Sequence, residues 1–268
     1  MLDTVAREGL VLLGCGKMGT ALLTGWLAAG VPASAVWVIE PNPTDWLKAS
    51  GVHLNEGVPP APAVALLAVK PQMMGAALPA LQALGNGKTL FVSIAAGTSI
   101  ATFAAALGER TPIVRTMPNT PAMVGRGITG ICANAVGQSG LQMAKALMEA
   151  VGEVVELGGE HQIDAVTGVS GSGPAYVFHL IEAMAAAGVA EGLSPDVAMK
   201  LARATVCGAG ELAYRSPETA AQLRINVTSP AGTTAAALAH LMDPETGLPP
   251  LMVRAVHAAA ERGRELGK

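Results

Sequence analysis

The sequence predicts an α/β chain, with a doubly wound, mostly parallel sheet over residues 1–158 and an all-α half over residues 159–268. Three observations predict it. Short, near-continuously apolar runs alternate with helix-like segments as far as Gly158, the pattern of strands covered on both faces. A glycine-rich turn links the first apolar run to the first helix-like segment. Beyond Gly158 the short runs stop, and apolar residues recur at helical spacing instead.

Seven runs read as strands: LVLL (10–13), VWVI (36–39), VALLAV (64–69), TLFVSI (89–94), PIVRT (112–116), ITGIC (128–132) and EVVEL (153–157). TALLTGWLAAG and ATFAAALG lie between runs and read as crossover helices, which makes the sheet mostly parallel. PIVRT and ITGIC are close enough in sequence for a hairpin. In the second half, Pro174 after Gly171-Ser172-Gly173 starts a helix carrying Val177, Ile181, Met184 and Gly188 at helical spacing. Ser194-Pro195-Asp196 starts another, with Ser194 as N-cap and Val197, Leu201, Ala204 and Leu212 along one face. Further helices are expected from about Ala231 and about Pro250. Helices with so few polar interruptions bury more than one face, which points to a dimer core.

Composition narrows the function classes. Just over half of the 268 residues are apolar, and the formal charge is −3 with 17 scattered Lys and Arg, which argues against nucleic acid as a partner. The greasiest stretch, Val177 to Ala190, is interrupted by His179 and Glu182 and is too short for a bilayer, so no membrane role is expected. MLDTVAREGL lacks the basic start and apolar core of a signal peptide. Cys15, Cys132 and Cys207 form no CxxC pair and read as reduced thiols of a cytoplasmic protein. The five histidines show no i, i+4 pairing with Glu, so no metal site is expected.

Chemistry is carried by three sets of residues. Gly14-Cys15-Gly16-Lys17-Met18-Gly19 follows the LVLL strand and opens a helix, the Rossmann-type arrangement for a dinucleotide. Gly14 permits the tight turn, Gly16 lets the backbone approach a pyrophosphate, and Gly19 lets helix pack on strand. Glu40 ends the second strand, where a carboxylate can accept from a ribose 2′-hydroxyl. The second set, AVKP (68–71), SIAAG (93–97) and RTMPNTP (115–121), lies at the carboxyl ends of later strands, where open α/β sheets bind ligands. Pro118 and Pro121 stiffen the last of these. The third set comprises Glu160, DAVTGVSGSGPAY (164–176) and TSPAGTTAAALAHL (228–241). Its two helix starts carry surplus N–H and O–H donors, with Thr233 also readable as a plain cap. Neither contains Lys or Arg, so the matching anion is a small carboxylate rather than a phosphate.

With these motifs in place, the chain resembles the pyrroline-5-carboxylate reductases. The resemblance rests on AVKP (68–71), AAGT (95–98), RTMPNTP (115–121), DAVTGVSGSGPAY (164–176) and VTSPAGTTAAALAHLMD (227–243). It implies a Rossmann domain followed by a helical substrate-binding and dimerisation domain, assembled as a homodimer or higher homo-oligomer. It also implies reduction of a cyclic imine, 1-pyrroline-5-carboxylate, to L-proline by hydride from NADPH or NADH. By motif, the coenzyme would contact Leu13, Gly14, Cys15, Gly16, Lys17, Met18, Glu40, Asn42 and Asn55, then Ala68, Val69, Lys70, Pro71, Ile94, Ala95 and Ala96. The substrate would be bound by Glu160, Thr167, Ser172, Asn226, Ser229, Thr233 and Thr234, with Thr234 also in the catalytic role, on the ring nitrogen or carboxylate.

Two departures from the family pattern carry expectations of their own. Ala231 stands where the family usually has glycine in SPGGTT, so a helix-compatible or extended φ is expected there. Glu40 stands where NADPH-using relatives tend to have a small hydroxyl residue, so NADH is expected to be used at least as well as NADPH. Two rival readings fare worse. A β-hydroxyacid dehydrogenase would carry a lysine on the helix after Pro174, which has none before Lys200. A dinucleotide sensor without turnover would not need the polar cluster of the second half.

Overall fold

The seven apolar runs form all but one strand of an eight-stranded sheet in the computed structural model, which describes residues 1–267. Its strands are β1 (Leu10–Leu13), β2 (Val36–Ile39), β3 (His53–Leu54), β4 (Val64–Leu67), β5 (Leu90–Ser93), β6 (Ile113–Met117), β7 (Gly127–Ala133) and β8 (Gly152–Glu156). They lie in the order β3-β2-β1-β4-β5-β6-β7-β8. Every neighbouring pair is parallel except β6 and β7, which are antiparallel as their spacing suggests. The sequence reading omits β3, whose two residues are too few to show any periodicity.

Both faces of the sheet are covered, and alternate residues feed each side. Leu10, Leu12, Val36, Val38, Val64, Leu66, Val92 and Val114 pack with α2 (after α1, Leu2–Glu8), which spans Lys17–Ala28, and with Leu147 and Met148 of a helix near β8. Val11, Leu13, Ala65, Leu67, Phe91 and Ile113 pack on the other face with Met74, Leu78, Leu81, Phe103 and Leu107. These contacts use α4 (Pro71–Ala77, after α3 at Asp45–Ala49) and α5 (Ile100–Leu107), while α6 (Leu141–Glu149) returns to the first face. Trp26 of α2 is fully buried and donates its indole N–H to the Leu147 carbonyl of α6 at 2.8 Å, a non-local tie that spares both polar groups from desolvation.

By packing, the chain forms two compact units, residues 1–171 with those from Ala259 onward, and residues 172–258. The first unit therefore includes the residues just past Gly158, for a local reason. Glu160 is bound to Arg115 of β6 and to the start of α5, so the segment through α7 (Ile163–Val166) and a π-turn at Thr167–Gly171 stays with the sheet.

The second unit, Ser172–Ala258, is helical. It contains α8 (Gly173–Ala190), α9 (Pro195–Arg215), α10 (Ala220–Asn226), α11 (Thr233–Leu241) and most of α12 (Leu248–Leu266). The short α10 lies outside the sequence reading, although Thr219 caps it by accepting from Gln222 N–H. α8 and α9 pack through small residues, with Ala185, Ala198 and Ala202 buried and a Cβ at Gly188 only 3.2 Å from that of Ala198. The predicted apolar face of α9 lies open: Val197, Leu201 and Leu212 are 46%, 53% and 56% exposed. One helical run, Glu160–Ala190, is long and apolar enough by length and composition to cross a membrane, and only 6% of its most apolar 18-residue window is buried.

Replacing Trp26 by Phe should lower stability by about 1–3 kcal/mol, because the Leu147 carbonyl loses its donor and a cavity opens. Urea unfolding followed by circular dichroism checks this, and an unchanged midpoint would mean that the indole contact contributes nothing.

Candidate active site

β1 runs directly into Gly14, whose φ is +88°. A side chain there would meet Val69 Cγ1 at 2.8 Å, so the turn needs glycine for conformation and for space. At Gly19 a Cβ would sit 2.8 Å from the Gly14 carbonyl oxygen, so the helix can begin this close to its strand only with glycine. Gly16 differs, because a Cβ there would meet nothing within 4 Å. Its outer side is open, where a pyrophosphate would approach. Gly16 is also the N-cap of α2 and has no side chain to cap it, which leaves the first-turn N–H groups for an anion. The residues fit a dinucleotide on these grounds.

Neighbouring strand ends join this turn. Gly14 N–H donates to Ile39 O, Ala68 N–H to Leu13 O and Ile94 N–H to Leu67 O. The structure therefore gathers Leu13 to Met18, Ala68 to Pro71 and Ile94 to Ala96 at the carboxyl ends of the neighbouring strands β1, β4 and β5. Lys70 is the exposed N-cap of α4 and Pro71 its first residue. Cys15 points inward, and burial pushes its thiol pKa up, with the Glu40 charge adding to the rise while a Thr20 hydrogen bond opposes it.

Glu40 is turned toward the glycine-rich loop. One carboxylate oxygen accepts Cys15 N–H at 2.8 Å and the other accepts Asn42 N–H at 2.9 Å. Asn55, at φ +56°, holds the backbone of Glu40 at two points, accepting its N–H at 2.9 Å and donating to its carbonyl at 3.0 Å. Glu40, Asn42 and Asn55 thus form one cluster, and the loop from Glu40 to Asp45 contains no basic residue.

The predicted substrate residues divide between the two units. In the first, Glu160 Oε1 accepts from buried Arg115 at 2.6 Å and from Ile100 N–H at 2.8 Å. That oxygen works in the architecture, pairing a guanidinium whose Nε has no partner among the described residues. Beside this pair, burial pushes the Cys132 thiol up to about 11. Thr167 lies in the π-turn and donates to Ile163 O at 2.9 Å.

In the second unit Ser172 precedes α8, and Asn226 ends α10 with its amide tied to Glu218 and Gln222. Glu218, which is not among the residues singled out from the sequence, is thereby linked to a predicted site residue. Ser229 and Thr233 flank the start of α11. Gly232 is the N-cap, not Thr233, which is already the first helical residue. No side chain caps this helix start, and the hydroxyls of Ser229, Thr233 and Thr234 are engaged by no other described residue. Gly232 N–H closes a turn onto Ser229 O at 3.0 Å, with Pro230 and Ala231 in the middle. Ala231 has φ +56°, contrary to the helical or extended value expected. A turn with Pro second and a positive φ third is the type II pattern, in which glycine is favoured. The tight turn wins over the local preference of alanine, and strain is the cost.

Known proteins resemble this chain along nearly its whole length. The family model described as pyrroline-5-carboxylate reductase dimerisation matches residues 160–266, and that of the coenzyme F420-dependent NADP oxidoreductases matches residues 10–97. A pyrroline-5-carboxylate reductase of Pseudomonas aeruginosa is 41% identical, covering 97% of this chain and 97% of its own. One of Methanosarcina acetivorans is 39% identical, over 98% and 99%. Among solved structures, a pyrroline-5-carboxylate reductase from Coxiella burnetii superposes with a TM-score of 0.90 at 34% identity, covering 97% of this chain and 99% of that one. The Plasmodium falciparum pyrroline carboxylate reductase with NADP bound gives 0.81 at 28% identity, over 98% and 99%.

Ala231→Gly should stabilise the protein by up to about 1 kcal/mol, the relieved left-handed strain less the extra chain entropy of glycine. Chemical denaturation of the two proteins at equal concentration measures it. A loss of stability would mean that the alanine is unstrained.

Proposed function

The chain belongs to the pyrroline-5-carboxylate reductase family, and from that premise we propose that it reduces 1-pyrroline-5-carboxylate to L-proline with a nicotinamide coenzyme. The observation that carries the reading is the start of α11, an uncapped helix N-terminus with free hydroxyls and no basic residue. Such a terminus suits a single small carboxylate, held by backbone N–H groups and the helix dipole. The test of the function is the fall in absorbance at 340 nm with the imine and either coenzyme; no change with both would overturn it.

In this reading the carboxyl ends of the central strands do the binding. The open side at Gly16 and the first turn of α2 take the pyrophosphate, and Ala68 to Pro71 with Ile94 to Ala96 line the rest of the groove. When bound, the reduced nicotinamide supplies the hydride. The protein has to orient the imine carbon and see that the ring nitrogen is protonated. Thr233 and Thr234, with the N–H groups of α11, hold the carboxylate, and Thr234 hydrogen-bonds the ring nitrogen. A threonine hydroxyl is too weak an acid to drive protonation, so orientation supplies most of the rate. Ser229, Asn226, Ser172, Thr167 and Glu160 complete the substrate end in supporting roles.

Coenzyme choice rests on Glu40. Its carboxylate already fills the space beside the Cys15 and Asn42 N–H groups, and no cation offsets it in the loop that follows. A ribose 2′-hydroxyl can donate to it, whereas a 2′-phosphate is repelled. NADH therefore serves at least as well as NADPH. The open apolar faces of the helical unit agree with the dimerisation family it matches, and they suit a homo-oligomer in which a second copy covers them. Three unpaired cysteines suit a reducing compartment such as the cytoplasm.

Two substitutions test the roles. Glu40→Ser should shift the ratio of kcat/KM for NADPH over NADH upward by about tenfold, the effect of removing one nearby like charge. An unchanged ratio would take Glu40 out of the choice. Thr234→Val, which keeps shape and loses the hydroxyl, should lower kcat/KM for the imine by more than about tenfold; near-normal turnover removes Thr234 from the mechanism.

A further inference from the structure

We propose that Asn119, in the RTMPNTP segment, is a positioning residue for the substrate end, acting by clasping the π-turn Thr167–Gly171. The inference rests on the functional reading above, in which Thr167 and the residues after it serve the substrate.

Asn119 is 8% exposed and both ends of its amide are used. Nδ2 donates to the Ser170 carbonyl in the π-turn at 3.1 Å, and Oδ1 accepts Ile128 N–H of β7 at 3.0 Å. The orientation of the amide follows from chemistry, since a backbone N–H can only donate and a carbonyl can only accept. One side chain therefore bridges the sheet and the π-turn.

The π-turn needs such a bridge. Its wide winding breaks the regular helical ladder, so its carbonyls are offset from their usual donors. Two of its hydroxyls turn back onto their own helix, Thr167 onto Ile163 O at 2.9 Å and Ser170 onto Val166 O at 3.0 Å. Ser170 O takes its donor from outside, from Asn119. Met117 adds a second restraint, because a Cβ on Gly171 would lie 2.8 Å from Met117 Cε. Met117 and Asn119 flank Pro118 in a buried stretch, so the clasp is mounted on rigid backbone at the end of β6. π-turns inside helices cluster at functional sites, and here the turn is the last piece of the first unit before Ser172. A misplacement of even an ångström there is enough to impair orientation of a small substrate.

Asn119→Asp keeps the shape but sets a carboxylate oxygen against Ser170 O. The variant should raise KM for pyrroline-5-carboxylate by about tenfold or more while KM for NADH stays within about twofold. Hydrogen exchange of the peptide covering residues 164–176 should also quicken relative to wild type. A general loss of structure would raise both KM values together, and that outcome overturns the proposal, as does an unchanged imine KM with unchanged exchange. If Asn119→Asp does not fold, Asn119→Ser removes the clasp without adding charge and is held to the same readouts. Should the wild type itself fail to turn over the imine, the functional reading falls, and the exchange measurement alone decides the clasp.

Discussion

A guanidinium buried to this degree needs a counter-charge, and that requirement organises the first unit. Arg115 of β6 is 6% exposed, and Glu160 is the carboxylate that meets it. The same oxygen takes Ile100 N–H at the start of α5. One contact thus joins a central strand, a crossover helix and the segment leading to the helical half. It sets where the chain leaves the sheet, which in turn sets where the π-turn lies relative to β6 and β7. Breaking the pair would leave a buried charge alone, a loss of several kcal/mol in comparable cases, on the order of 3–5.

Much of the architecture was legible in the sequence, because its signals are local. Each apolar run became a strand within a few residues of its expected ends, and the close spacing of PIVRT and ITGIC gave the antiparallel pair. The glycine turn was legible to the level of single residues, with Gly14, Gly16 and Gly19 showing the three different surroundings their roles demand. What escaped has physical reasons. β3 pairs through two residues, which carry no period. The attachment of Glu160–Gly171 to the sheet depends on partners 45 and 60 residues distant, Arg115 and Ile100, and no local pattern announces these. Ala231 was misjudged because propensity argues against alanine at positive φ, whereas the turn between Ser229 and Gly232 imposes it. The alternative reading of Thr233 as a plain cap falls for the same reason, since the turn delivers Gly232 to that place.

The two ends of the proposed site are built on opposite principles. At the coenzyme end, glycine removes side chains so that backbone and pyrophosphate can approach, and one carboxylate, Glu40, is held by fixed N–H donors. At the substrate end, polar side chains accumulate and the start of α11 carries no Lys or Arg, because N–H groups at a helix start already favour a small anion. Neither end uses a basic residue as its main anchor. Selectivity then follows from geometry and from the charge that is excluded, rather than from the strength of a single ion pair.

The helical half has one property with consequences for how the protein comes into being. Its own buried core is little more than Ala185, Ala198 and Ala202, while Leu201, Leu212, Phe178 and many neighbours are left open. Three alanines cannot offset the conformational entropy of some eighty residues, at about 1 kcal/mol or more each. The family model that matches this half is one of dimerisation, and association with a second copy is a source of the missing free energy. Such association depends on subunit concentration, whereas packing within one chain does not. Dilution therefore acts on this protein as a denaturant does on a monomer, and it acts on the helical half first.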